Sequence, residues 1–157
     1  MKARIDVMNA DPKGVQLLLG IERHIAASKL DPKLLHLVKM RASQINGCAF
    51  CLDMHSKDAR AEGETEQRLY SLDAWQEAPY YSDRERAALA WTEAVTCLHH
   101  GHVCDNAYEK ARAHFNENEI ATLTLAVAMI NTWNRLNVAF RTEPGGYRPG
   151  MFKNLTG

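Results

Sequence analysis

The apolar residues recur at helical spacing along the chain, and no stretch shows the apolar–polar alternation of a half-buried strand. Asp11-Pro12 reads as an N-cap with proline at the first helical position, and Val15, Leu18, Leu19, Ile25 and Ala26 then predict a helix from Pro12 to about Ser28. Leu30-Asp31-Pro32 repeats the start signal for a second helix over 32–45, with Leu34, Leu37, Val38, Arg41 and Ile45 on one stripe. Asn46-Gly47 breaks the chain, and a third helix follows from Cys48 to about Glu62, ended by Gly63. Thr65 caps a segment over 66–75, Pro79-Tyr80-Tyr81 forms a loop, and Ser82 or Asp83 opens a helix over 84–98. Asp105 caps a short helix to Phe115. Asn116 and Glu119 then form a capping box for a last helix over 117–140. That helix is apolar over 120–130 on more faces than one neighbour needs, which predicts a central position or a surface shared with another subunit. Residues 1–11 read as an extended lead-in. The pattern is an all-α bundle of six to seven helices, and 157 residues fit a single domain over 1–157 that needs no disulfide or metal staple.

Acidic and basic residues balance at 19 each, so no electrostatic footprint for nucleic acid or an anionic membrane is present. No stretch reaches the ~20 apolar residues of a membrane span, and Met1-Lys2-Ala3-Arg4-Ile5-Asp6 lacks the apolar run of a signal peptide. The expected location is cytoplasmic. Four cysteines in a reducing compartment point to catalysis or metal binding rather than to structural bridges.

Chemistry concentrates in Gln44-Ile45-Asn46-Gly47-Cys48-Ala49-Phe50-Cys51-Leu52-Asp53-Met54-His55. Cys48, Cys51 and His55 fall at i, i+3 and i+7, on one stripe of a helix. A free thiol with a pKa near ~8.5 is only slightly ionised at neutral pH, and the thiolate is the attacking species. The Asn-Gly turn puts Cys48 at a helix start and Cys51 in the first turn, where unpaired N–H groups favour negative charge. His55 can take a proton or stabilise the anion. A sulfenic acid on Cys51 would condense with Cys48 to a disulfide and water. The CxxC also admits two other readings, half of a zinc site or the packing of two small apolar residues.

Other candidates are weaker. Cys97-Leu98-His99-His100-Gly101-His102-Val103-Cys104 offers two thiols and three imidazoles, yet matches no compact zinc spacing, and a solvated loop is the plainer reading. His36, twelve residues before Cys48, either folds back near the stripe or is a surface histidine. Glu93 lies amid the apolar run from Leu89 to Val95, exposed on a polar face or buried for a reason. Asn131, Trp133, Asn134 and Arg135 suit packing and interhelical hydrogen bonds, and Asp53 and Ser56 point most simply to solvent.

The run from Arg41 to His55 resembles the alkylhydroperoxidase AhpD-like family of the carboxymuconolactone decarboxylase superfamily. Weaker likeness extends through Trp91-Thr92-Glu93-Ala94, His102-Val103 and Ile130-Asn131-Thr132-Trp133-Asn134-Arg135-Leu136. The resemblance implies an all-helical fold, assembly as homo-trimers or homo-hexamers, and thiol peroxidase activity on a small-molecule peroxide. By position, Cys51 matches the peroxidatic thiol, Cys48 the resolving thiol and His55 the relay histidine. Mycobacterial-type members place a glutamate twelve residues before the first cysteine and a histidine between the cysteines, where this chain has His36 and Phe50. Either His36 or Glu93 must therefore take over proton handling, or activity falls. No flavin or haem motif is present, so no cofactor is expected and a dithiol partner, a lipoyl group or a thioredoxin-like protein, must supply electrons. The alternatives are a non-enzymatic thiol sensor or zinc-binding module, and a lyase acting on a small carboxylated lactone.

Overall fold

The computed structural model describes residues 2–152, the side chain of His100 apart. Among these residues there are eight α-helices, six of them of seven residues or more, and no strand. They are α1 Val7–Ala10, α2 Pro12–Ala26, α3 Pro32–Asn46, α4 Ala49–Ala61, α5 Glu66–Tyr70, α6 Asp83–Thr96, α7 Asp105–Arg112 and α8 Glu117–Phe140, with 3₁₀ turns at Leu72–Ala74 and Leu98–His100.

The helix starts follow from local chemistry. Asp11 accepts from the Gly14 N–H and Asp31 from the Lys33 N–H, each ahead of a proline that has no N–H to satisfy. Ser82 with Glu85, and Asn116 with Glu119, close reciprocal capping boxes. Four details differ from the sequence expectation. The lead-in carries α1, because the Asp6 carboxylate accepts from the Met8 N–H and nucleates one turn. The segment expected over 66–75 leaves the α-helix at Tyr70 and tightens into a 3₁₀ turn, and α6 stops at Thr96 before another. Asp105 is the first residue of α7 rather than its cap, and Cys104 holds the cap position without a side-chain bond.

Helix α8 packs on α2, α3, α4, α6 and α7, which accounts for its apolar character on several faces. The main core joins Ile25 of α2, Val38 of α3, Trp91 of α6 and Leu123 and Val127 of α8. A second cluster, around Leu37, Leu72 and Leu89, seats the 3₁₀ turn beneath α3 and α6. Each such aliphatic side chain contributes about 1.5–3 kcal/mol by leaving water. The charged exceptions in these apolar runs answer one another. Arg41 donates from Nε to Glu93 at 2.8 Å and also reaches Gln44 and Asp73, while Glu93 accepts from Trp75 Nε1 at 2.7 Å. No helix among the described residues is long and apolar enough to cross a membrane.

Candidate active site

A tight reversal between α3 and α4 creates the thiol pair. Gly47 closes α3 in the left-handed region, φ 66°, a conformation that strains residues with a Cβ. The chain then turns back, the Cys48 N–H bonds to Ser43 O at 3.0 Å, and Cys48 becomes the N-cap of α4. Its sulfur accepts the Cys51 N–H at 3.4 Å, the place a serine hydroxyl usually takes. The two buried sulfurs stand 2.7 Å apart, and both thiols are free. Asparagines on α8 brace the reversal: Asn134 donates to Ser43 Oγ at 3.0 Å, and Asn46 donates to both Asn134 and Asn131.

This geometry distributes charge unequally. The hydrogen bond from the Cys51 thiol, helped by the Cys51 backbone N–H, holds the Cys48 thiol down to about 7 against the opposing effect of burial. The same bond, together with burial, pushes Cys51 well above the usual thiol range. The resting negative charge therefore sits on Cys48, whereas the sequence suggested a lowered Cys51. The helix does supply the donor, but the sulfur that receives it belongs to the cap residue. Cys51 has instead the side-chain amide of Asn137, donating at 3.4 Å.

Of the pair, only Cys51 faces open space. A cavity of about 400 Å³ is lined by Cys51 and not by Cys48. His55, one turn further along α4, lines it too, as do Asp58 and Glu62, so the stripe read as Cys48, Cys51 and His55 continues to the end of the helix. His36 of α3 joins them, with its ring centroid 6.0 Å from that of His55. Its Nε2 lies 3.2 Å from Glu62, and the Nδ1 atoms of both histidines are buried without a partner among the described residues. Burial pushes His55 well below its ordinary value, with Lys39 and His36 adding to the effect, so the ring is neutral at pH 7. His36 is also lowered by burial, which the Glu62 carboxylate partly offsets. Lys39 supplies no unbalanced positive charge, since Glu22 takes its Nζ at 2.6 Å and also accepts from Trp133 Nε1 at 3.1 Å. Phe50, Met54 and Trp133 make the rest of the wall largely apolar.

The segment after α8 closes one side. Tyr147 donates its hydroxyl to Asp58, and Lys57 donates to Asp53, Gly145 O and Tyr147 O. Asp53 also accepts the Gly145 N–H at 3.0 Å, so it fastens this segment rather than pointing idly to solvent. Sequence reading missed Glu62, Asp58 and Tyr147, although following the α4 stripe two more turns would have found the first two.

Two candidates lie elsewhere. Glu93 does not line the cavity and is engaged by Arg41 and Trp75. In the 97–104 segment Cys104 is exposed and Cys97 half-buried, and the His100 side chain lies outside the described residues. Among the described residues no three His, Cys, Asp or Glu side chains are grouped to hold a metal ion.

Comparison with known proteins agrees with this architecture. Residues 13–94 match the carboxymuconolactone decarboxylase family. YdfG of Bacillus subtilis (strain 168), a protein without an assigned function, is 40% identical over 88% of this chain and 95% of its own length. The crystal structure of ATU0492 from Agrobacterium tumefaciens, a protein of unknown function linked by name to the antioxidant defence protein AhpD, superposes with a TM-score of 0.89. It is 42% identical and covers 93% of this chain and all of that one. An AhpD-core protein of Ralstonia eutropha JMP134, described as peroxidase-related, shares the fold at a TM-score of 0.78 with 17% identity, over 89% of this chain and 75% of its own. By sequence and by fold, the chain belongs to the carboxymuconolactone decarboxylase family, in its AhpD-like form.

Proposed function

We propose that the protein is a thiol-dependent peroxidase that reduces a small organic hydroperoxide through the Cys48/Cys51 pair. The observation that carries this reading is two buried sulfurs 2.7 Å apart, of which only Cys51 opens on a histidine-lined cavity. Cys48 takes the proton of Cys51, and the Cys51 thiolate attacks the terminal peroxide oxygen. The O–O bond breaks, the alcohol leaves with a proton passed by His55, and Cys51 becomes a sulfenic acid. The Cys48 thiol then displaces water to form a disulfide, for which the sulfurs must close to ~2.05 Å. A lipoyl dithiol or thioredoxin-like protein reopens it, two electrons per cycle. The setting is the cytoplasm, where such reductants are held reduced, and the working form is a homo-trimer or homo-hexamer, as the family likeness suggests.

The test is steady-state turnover of cumene hydroperoxide with dihydrolipoamide, for wild type and Cys51→Ser. Sustained turnover by the wild type alone supports the reading. A single fast oxidation that no dithiol reverses would mark a sensor instead. Turnover of a carboxylated lactone that survives replacement of both Cys48 and Cys51 by serine would mark a lyase.

A further inference from the structure

Proton balance in this cycle, on whose reading the inference rests, demands an external source. Above pH 7, where Cys48 is ionised, the resting pair holds one proton between two sulfurs. A thiolate, a thiol and a hydroperoxide become a disulfide, an alcohol and water only if one further proton enters the cavity. The pair cannot supply it, since the thiol proton moved to Cys48 leaves later in the water molecule. Nor can a neutral His55, buried to 6% exposure, hold one in reserve.

Three side chains on the cavity wall form a series graded in exposure. The Glu62 side chain is 40% exposed, that of His36 is 15% exposed, and His55 is buried with its ring beside that of His36. Glu62 occupies the C-cap of α4, where its backbone N–H bonds to Asp58 O and Ala59 O, so its position is set by the helix end. Its carboxylate meets Nε2 of His36 at 3.2 Å, and Nδ1 is the buried, unpartnered nitrogen on the inner side.

We propose that Glu62 is a positioning residue that, through His36, forms the inlet by which the proton required at the departing alkoxide is drawn from solvent. Glu62 takes up a solvent proton and hands it to Nε2 of His36, whose Nδ1 proton moves on towards His55. His55 receives that proton at one nitrogen as it releases another, and the proton ends on the alcohol oxygen, leaving both rings neutral. The other charged or titratable groups facing His36 are Lys39 on its own helix, paired to Glu22 of α2, and Asp58 of α4, which accepts from Tyr147. Helix α8 presents only the uncharged Trp133 and Asn137 to this cavity. The Glu62 carboxylate is thus the anion in contact with His36.

The experiment is stopped-flow oxidation by cumene hydroperoxide between pH 6 and pH 9 for wild type, Glu62→Ala and Glu62→Gln, with and without sodium formate. The expected result is roughly a 10-fold or greater slowing in both variants at pH 8, a smaller deficit at pH 6 where protons are abundant, and partial recovery of Glu62→Ala by formate. Rates within twofold of wild type at every pH, or a deficit that neither pH nor formate changes, would overturn the inlet. A wild type that reacts no faster than a free thiol would overturn the peroxidase reading instead. A variant that misfolds is replaced by His36→Gln with imidazole as the rescuing base, for which absence of rescue counts against the proposal.

Discussion

Two segments of this chain carry a pair of cysteines and at least one histidine within eight residues, and the fold treats them differently. At 48–55 a glycine reversal makes one cysteine a helix cap, buries both sulfurs and opens one on a cavity shared with His36 and His55. At 97–104 the residues fall in a 3₁₀ turn and the connector to α7, with Cys104 exposed. Both offer two thiols and imidazole. What differs is that helix α4 starts on a sulfur and that α2, α3, α8 and the C-terminal segment wall it in. A thiol gains distinctive reactivity from its donors and its access, and only the first segment provides both.

Exchanging the thiols one at a time tests the difference between the two segments most severely. Cys51→Ser should reduce hydroperoxide-driven oxidation to the rate of an ordinary thiol, a loss of roughly 10²-fold or more, while Cys97→Ser and Cys104→Ser stay within about twofold in stopped-flow traces. Cys48→Ser should separate the two halves of the cycle: Cys51 is oxidised once, remains a sulfenic acid that dimedone traps, and turnover stops. An intact dithiol cycle in Cys48→Ser would show that another cysteine resolves Cys51.

A third prediction concerns the buried imidazole. His55 stays neutral in the fold while its unfolded counterpart titrates near 6.5. Below that pH the unfolded chain binds a proton that the folded His55 does not, so stability is complete above pH 6.5 and falls as pH drops, by up to ~1.4 kcal/mol per unit. Denaturant melts at pH 7.5 and 5.5 should show the loss, and His55→Gln should flatten it. The smallest effect is at the reversal. Gly47→Ala meets no steric neighbour but must hold φ 66°, costing about 1 kcal/mol in urea unfolding.

Much of this was legible from sequence for a physical reason. Helix caps and period are local, so Asp11-Pro12, Asp31-Pro32, Ser82 and Asn116 announced α2, α3, α6 and α8 to within a few residues. The CxxC and His55 lie on one helix, and their shared face follows from spacing alone. What escaped was set by tertiary approach. Glu93, conspicuous in an apolar run, is taken up by Arg41 and Trp75 from two other segments, and Glu62, which looked like an ordinary helix end, meets His36 across a helix pair. The charge on Cys48 rather than Cys51 was hidden as well, because it depends on which sulfur receives the N–H and thiol hydrogen bonds.

The most direct measurement is peptide mass spectrometry of the reduced protein after one equivalent of cumene hydroperoxide, quenched by rapid alkylation. A Cys48–Cys51 disulfide is expected as the first and dominant product, with Cys97 and Cys104 alkylated. Oxidation appearing first at Cys104, or spread evenly over the four cysteines, would contradict it.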